Sequence, residues 1–330
     1  MPLAARPQPQ LVAVAPIAFD PVRAAFAADV RDGLTHAPLS LPSRWLYDDV
    51  GSALFEAITF LDEYPLTRAE ERLLQANAAA LAAHAPPSPI VIELGAGSGR
   101  KTRLVLEALA ARGPIEYRPI DVSRAALDAC TDALDAIATV TPIEDSYFPG
   151  LERALAGRGD RPALVLFLGS TIGNFARDEA ADFVRDVRAA LVPGDMLLLA
   201  ADLVKSVAEL VLAYDDPSGV TAAFDRNVLT RINRELGGDF DVRAFRHEAR
   251  WNPIERRIEM HLVATRPICA HVPGAGISVR MERGQSIWTE SSHKWSPAEL
   301  ATLGEDAGFR QVAQWCDDAW PFAESLFVAV

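Results

Sequence analysis

With 330 residues, the chain can form two domains of about 150 residues or one enlarged domain, and it can bury a sizeable core. Half of its residues are apolar and 23% are charged, which excludes a disordered or collagen-like chain. Acidic residues outnumber basic ones 45 to 32, and the resulting charge of −13 argues against a nucleic-acid partner, because no basic run offsets the repulsion of phosphates.

Residues 1–19 carry Pro2, Pro7, Pro9 and Pro16 without helical periodicity and read as an N-terminal arm. Their apolar run, 11–19, is broken by Pro16 and lacks a small-residue cleavage site behind it, so secretion is not expected. From 20 to 34, Pro21 suits a first helical position and Val22, Phe26, Val30 and Leu34 recur every fourth residue, which predicts a helix. A second helix follows Gly51 and Ser52, with Leu54, Phe55 and Ile58 at helical spacing, and ends at Tyr64 and Pro65. Thr67 and Glu70 have capping-box spacing, and Leu74, Ala78 and Leu81 carry that third helix towards Pro86.

Strands and helices then alternate up to residue 202. Strands are predicted at 89–94, at 115–119 leading to Asp121, and at 139–142, 163–169 and 196–201, with helices at 101–111, 123–137 and 177–191. The run 163–169 is apolar on both faces, as the centre of a parallel sheet requires, and the alternation predicts a doubly wound α/β core. Beyond Lys205 the pattern changes. Helices are predicted at 208–214 and 220–235, antiparallel strands at 240–251 and 257–264, a turn at Gly274 and Gly276, a strand at 277–281, a helix at 297–307 and a closing strand at 327–330. No apolar stretch reaches the roughly 18 residues of a membrane helix, so no membrane partner is expected. Cys130, Cys269 and Cys316 are too widely spaced for a zinc motif; no metal is expected, and the thiols suit a reducing compartment such as the cytoplasm.

The sharpest local signal is Glu93-Leu94-Gly95-Ala96-Gly97-Ser98-Gly99, an apolar strand entering three alternate glycines and then a helix. A tight strand-to-helix turn beside a ligand leaves little room for Cβ atoms. The spacing is not the dinucleotide G-x-G-x-x-G, since Arg100 stands where its last glycine would be, and no P-loop lysine follows. Asp121, 22 residues after Gly99, ends the next strand, where a carboxylate can accept from both ribose hydroxyls of a nucleoside. Asp145 follows the third strand on the same edge. A plain turn and a helix N-cap are the bland alternatives for the glycines and Asp121, although Ser123 competes for the cap.

An acid after the second strand together with Glu93-x-Gly-x-Gly-x-Gly resembles the class I S-adenosylmethionine-dependent methyltransferases, over about 90–202. Further stretches resemble one subfamily, the histidine-specific Nα-methyltransferases of ergothioneine biosynthesis. They are Trp45-Leu46-Tyr47-Asp48-Asp49-Val50-Gly51-Ser52, Glu63-Tyr64-Pro65, Phe167-Leu168-Gly169-Ser170-Thr171-Ile172-Gly173-Asn174, Ala213-Tyr214-Asp215-Asp216, Arg257-Ile258-Glu259-Met260 and Thr289-Glu290-Ser291-Ser292-His293-Lys294. This resemblance implies a Rossmann-like methyltransferase core at 69–204 plus 295–330 and an α+β substrate-binding domain at 20–68 plus 205–294. It also implies S-adenosylmethionine as methyl donor, L-histidine as the small-molecule acceptor, three successive transfers to its α-amine, and a cytoplasmic monomer.

Carried over residue by residue, the resemblance places Tyr47, Gly95, Gly97, Lys101, Asp121, Asp145 and Ser146 on the donor side. Asn174 and Tyr214 would hold the acceptor carboxylate, with Gly169 beside them, and Tyr64, Glu290 and Ser292 would surround the imidazole, with Met260 lining the ring. Tyr47, near both donor and amine, is the candidate catalytic residue. The chemistry fits, because an amide and a phenol donate to a carboxylate, and a carboxylate beside a hydroxyl can fix an imidazole tautomer. Half-buried tyrosines, a turn asparagine, a core methionine and a solvated strand face are the ordinary alternatives. His293 should point away from its neighbour Ser292. Pro65 and Trp295 depart from the subfamily pattern, which commonly has Tyr and Phe or Tyr there. Competing readings are a methyltransferase for a tryptophan-derived acceptor, which a desolvated Glu290 disfavours, and a non-catalytic donor-binding protein.

Overall fold

The computed structural model describes residues 21–330, and the expected arm at 1–19 lies outside them. Three helices come first: α1 (Pro21–Thr35), α2 (Asp49–Thr59) and α3 (Leu66–His84). The alternating region follows as β1 (Ile90–Leu94), α4 (Thr102–Ala110), β2 (Glu116–Asp121), α5 (Arg124–Leu134), β3 (Thr139–Val140), β4 (Ile143–Glu144), α6 (Tyr147–Leu155), β5 (Ala163–Phe167), α7 (Arg177–Ala190) and β6 (Met196–Asp202). The later segment forms α8 (Val207–Tyr214), α9 (Val220–Leu236), β7 (Phe245–Asn252), β8 (Arg257–Ala264), β9 (Ile268–Val272), β10 (Ile277–Met281) and β11 (Ser286–His293). The chain then closes with α10 (Pro297–Asp306), β12 (Phe309–Asp317) and β13 (Phe322–Ala329).

The large sheet runs β12-β13-β6-β5-β1-β2-β3, with β4 also on β2. Its members from β1 to β6 pair in parallel, whereas β13 is antiparallel to β6 and β12 to β13. Alternation along β5 explains the layering. Leu164 and Leu166 face α3 and α4 in one core, while Ala163, Val165 and Phe167 face α6 and α7 in the other, and all five are fully buried. Helices therefore cover both faces, as the doubly wound reading expects.

The second unit contains the antiparallel sheet β11-β8-β7 and the hairpin β9-β10, with α9 packed on α1, α2 and β7. Arg231 of α9 fastens this packing by donating to the Trp45 carbonyl at 3.1 Å, its guanidinium 5.0 Å from the Phe26 ring centre and 5.1 Å from that of Trp45. The two units meet where β11 runs past the end of β6: Trp295 N–H donates to the Asp202 carbonyl at 3.0 Å, and Val204 N–H to the Trp295 carbonyl at 3.0 Å. No helix among the described residues is long and apolar enough to cross a membrane.

Several expectations need correction. The strand at 139–142 is two short bridging pieces, β3 and β4, because Pro142 cannot donate to a ladder. Residues 240–244 lead into β7 through a 3-10 turn, and the closing strand begins at Phe322. β9 and β12 were not foreseen. Thr67 and Glu70 make no capping box: α3 starts after Pro65 without a side-chain cap, and Glu70 turns into the interior.

Tyr47 owes its position to the turn into α2. Asp48 caps that helix, accepting from Gly51 N–H at 2.8 Å, Asn227 Nδ2 at 2.6 Å and Arg234 Nη2 at 2.6 Å. A Cβ on Gly51 would lie 1.7 Å from the Leu46 carbonyl oxygen. Gly51→Ala is therefore expected to destabilise the protein by about 1–3 kcal/mol despite alanine's helix propensity, read as a lower urea midpoint at constant slope.

Candidate active site

The donor-side candidates line the carboxyl edge of the parallel sheet, where open α/β sheets bind ligands. Gly95 and Ala96 donate their N–H groups to the Ile120 carbonyl at 2.9 and 3.1 Å, which bends the loop over the end of β2. Gly97 N–H donates to Asp121 Oδ2 at 3.0 Å, while Oδ1 accepts from Ser123 N–H at 2.9 Å. Ser123, not Asp121, caps α5 through Ala126 N–H. Two of the glycines answer different constraints. At Gly99 a Cβ would meet Cys130 Sγ and Leu134 Cδ1 at 2.7 Å, so close packing on α5 requires glycine. At Gly97 a Cβ would meet no protein atom within 4 Å, and the requirement is the left-handed φ of +53° beside open space.

Glu93 lies beneath this loop rather than in it. It accepts from Thr102 Oγ1 at 2.8 and 2.7 Å and from the Tyr117 hydroxyl, and burial pushes its carboxyl up to about 7 against those bonds. Lys101 forms an ion pair with Glu70 Oε2, and Glu70 Oε1 accepts from Gly169 N–H at 2.6 Å. Sequence reasoning missed Glu70, whose partners are far away in the chain. Asp145 accepts from Arg153 Nη1 and Ser146 N–H, each at 2.9 Å, and Arg153 holds its carboxyl below the usual range. Ser146 precedes α6, and its side chain does not cap the helix.

The acceptor-side candidates converge from segments far apart in the chain. Tyr47 donates its hydroxyl to Glu290 Oε1 at 3.2 Å, and Asn174 Nδ2 reaches the same oxygen at 3.5 Å. Glu290 pairs with Met260 across β11 and β8, after a bulge between Trp288 and Glu290. The extra residue, Thr289, donates its hydroxyl to the Met260 carbonyl at 3.0 Å. Ser292 lies on the same face, with its hydroxyl 2.7 Å from that of Tyr214. Tyr64 stands edge-on to Tyr214 with ring centres 5.9 Å apart, and Tyr47, Phe55 and Phe224 continue an aromatic wall at 5.3 to 6.0 Å. Asn174 is held by a 3-10 turn that starts from Ser170 in a left-handed conformation, φ +59°, fixed by Asp202 N–H donating to its Oγ at 2.8 Å. His293 points the other way, its Nδ1 3.1 Å from the Gly173 carbonyl, as expected.

Electrostatically this cluster is built around one costly carboxyl. Burial, then the charge of Asp225, pushes Glu290 up to about 7, opposed by Tyr47, Lys294 and His247. Asp225 is itself engaged by His247 Nδ1 at 2.7 Å, and His247 Nε2 lies 2.7 Å from the Tyr214 carbonyl. Burial and the neighbouring Glu290 hold the Tyr47 phenol well above its usual value, so Tyr47 acts as a neutral hydroxyl and not as a phenolate base. Lys294 and Asp202, also unassigned from sequence, stand behind Tyr214 and Ser292.

Because Glu290 titrates near 7 when folded and near 4.3 when unfolded, the folded chain binds more protons between those values. Its contribution to stability is therefore present at low pH and lost as pH rises through about 7. Wild type should lose stability relative to Glu290→Gln as pH is raised from about 5 to 8, measured as the difference in urea midpoints. A constant difference would refute the raised value.

Residues 26–329 match the family described as histidine-specific methyltransferase, SAM-dependent. A histidine N-alpha-methyltransferase of Mycobacterium tuberculosis is 43% identical over 314 residues, spanning 92% of this chain and 94% of the relative. One from Mycolicibacterium smegmatis is 42% identical over 323 residues, 94% of this chain and 97% of the relative. Ergothioneine biosynthesis protein 1 of Neurospora crassa is 32% identical over 296 residues, 84% of this chain but 32% of that longer protein. A match over nearly all the described residues, with relatives similar along almost their whole length, places the chain in the family of histidine-specific, S-adenosylmethionine-dependent methyltransferases.

Proposed function

We propose that this protein methylates the α-amine of L-histidine three times in succession, giving Nα,Nα,Nα-trimethylhistidine for ergothioneine biosynthesis. The observation that carries this reading is the buried Glu290 with Ser292 on the same face of β11, a carboxyl and a hydroxyl for the two nitrogens of an imidazole. A purely carbon ring would leave that carboxyl without compensation.

S-adenosylmethionine fits the donor side. Space above Gly97 is clear of protein, and Asp121 stands beside it for ribose hydroxyls. Lys101 beside Gly169 offers a cation for a carboxylate, while Asp145, Ser146 and Gly95 border the same edge. When bound, this donor supplies a sulfonium methyl whose leaving thioether needs no acid. The chain's own contribution is positioning and exclusion of water. Tyr47 holds the amine near the donor as a neutral hydroxyl, Asn174 and Tyr214 hold the acceptor carboxylate, and Tyr64, Met260, Glu290 and Ser292 enclose the ring. In this reading 20–68 plus 205–294 form the acceptor-binding domain, and 69–204 plus 295–330 the donor-binding core.

Mass spectrometry of purified protein with S-adenosylmethionine and an equimolar mixture of the common amino acids tests the proposal. Mass gain of up to three methyl groups on histidine alone is expected; gain on another amino acid, or on none, overturns it. Glu290→Ala should lower kcat/KM for histidine by about 100-fold or more while leaving S-adenosylhomocysteine affinity nearly unchanged. By contrast, Asp121→Ala should weaken S-adenosylhomocysteine binding by about 1–3 kcal/mol in calorimetry, and unchanged affinity in the folded variant would remove Asp121 from the donor site.

A further inference from the structure

His247 on β7 is buried, and each of its ring nitrogens lies 2.7 Å from an oxygen: Nδ1 from Asp225 Oδ2 and Nε2 from the Tyr214 carbonyl. A carboxylate and a carbonyl only accept, so both nitrogens have to donate. A neutral imidazole has one N–H and one lone pair, and would set that lone pair against an oxygen at contact distance. Burial opposes a charge here, but the bond to Asp225 and its charge, the Tyr214 carbonyl and Asp215 outweigh it and raise the ring above its ordinary value. Of the other neighbours, Leu262 is the apolar partner across β8, Arg246 and Glu248 lie on the opposite face of β7 and pair with each other, and Glu290 on β11 feels the charge of the ring.

We propose that His247 is a positioning residue for the acceptor site: as an imidazolium it ties the backbone of Tyr214 to α9 through Asp225, and so sets where the Tyr214 hydroxyl meets the acceptor carboxylate. Tyr214 is the last residue of α8, where a carbonyl has no partner within the helix and a cation is favoured. Its other end is held separately, the hydroxyl lying 2.7 Å from Ser292 Oγ and 2.9 Å from Lys294 Nζ and hydrogen-bonded to the Tyr64 side chain. Only the backbone bond relates Tyr214 to the opposite wall of the site. Asp225, at the far side of His247, follows Phe224, whose ring packs on Tyr47 at 5.3 Å and on Phe55 at 6.0 Å. Asp225 is fully buried and its Oδ1 has no hydrogen-bond partner among the described residues, so His247 supplies the charge that compensates it. One imidazolium thus sets the end of α8 and the aromatic face of α9 at a fixed separation, without touching the ligand.

The inference rests on the proposed reading that Tyr214 holds the carboxylate of a histidine acceptor, and the test separates the two. Ring-nitrogen NMR of the protein with isotopically labelled histidines, saturated with S-adenosylhomocysteine at about pH 7, should show protons on both ring nitrogens of His247 in wild type. In Asp225→Asn only Nε2 should carry one, because an amide at 225 can turn its own N–H towards Nδ1 while the neutral ring keeps its bond to the Tyr214 carbonyl. Calorimetric affinities of L-histidine and of histamine, which lacks the carboxylate, are then compared in the same complex, so that the contribution of the ligand ring cancels. Wild type and Asp225→Asn should each prefer histidine by about tenfold or more, since hydrogen bonds to a charged group are the stronger ones. Adding His247→Phe to Asp225→Asn should bring the ratio within about threefold while the affinities for histamine and S-adenosylhomocysteine stay unchanged, a selective loss that general loosening of the fold would not produce. Where the double variant fails to fold, the ring protonation in wild type and Asp225→Asn decides. A single ring N–H on His247 in wild type, or an unchanged ratio in the folded double variant, overturns the inference while leaving histidine as acceptor. Equal wild-type affinity for the two ligands, or no binding of histidine, overturns the reading of the acceptor site and this inference with it.

Discussion

Asp202 is the charge on which the rest of the site depends. It ends β6, is fully buried, and carries Lys294 on one oxygen and Lys205 with Trp320 on the other. Its backbone N–H fixes Ser170, whose left-handed turn starts the segment that presents Asn174, and its carbonyl receives the strand leaving β11. The parallel sheet, the end of β11 and the turn that carries Asn174 thus share one residue. Buried ion pairs are often no better for stability than apolar packing, but removing one partner costs about 3–5 kcal/mol because the other charge is left uncompensated. The arrangement consequently resists piecemeal change: Lys294, Lys205 and Asp202 are coupled, and their contributions should not add.

A second carboxylate ties elements of the parallel-sheet unit together in the same manner. Glu70 joins Lys101 to the Gly169 backbone, so α3, the start of α4 and the end of β5 are held at one point. Glu324 on β13 is fully buried nearby, and neither of its oxygens has a hydrogen-bond partner among the described residues. Burial, and next the charge of Glu70, push its carboxyl well above the usual range, with Lys101 opposing. Lys101 is paired with Glu70 and makes no ion pair with Glu324 among the described residues. Burial likewise pushes the carboxyls of Glu93 and Glu290 up, both to about 7.

What could be read from sequence follows the range of the interactions involved. The glycine loop, Asp121 and the alternating strands depend on neighbours within one strand–helix unit, and local pattern carries them. Glu70 looked like a cap because Thr67 lies three residues before it; its true partners, Lys101 and Gly169, are 31 and 99 residues away. β12 was overlooked because it is only partly buried along its length and shows no clear alternation. Asp202 ends an apolar strand just as Asp121 does, which was a usable signal, yet nothing in its surroundings in sequence points to Lys294. The motif residues Tyr47, Asn174, Glu290 and Ser292, separated by up to about 245 positions, were brought forward by family resemblance, and the fold does bring them together.

The bulge in β11 has a bearing on how such a pocket changes over time. Its extra residue puts Ile287, Glu290 and Ser292 on one face, opposite Leu262, Met260 and Ile258. Were Thr289 paired in the ladder instead, strand alternation would continue from Ile287 to Thr289, Ser291 and His293, and Glu290 would turn to the other side with Trp288. The pocket's ligand chemistry is thus written in residue count as well as residue identity. Deleting Thr289 would therefore leave Glu290 and Ser292 opposite Met260 and Ile258 in an unbroken ladder, whereas drawing Thr289 into the pairing would turn Glu290 and Ser292 to the other face in one step.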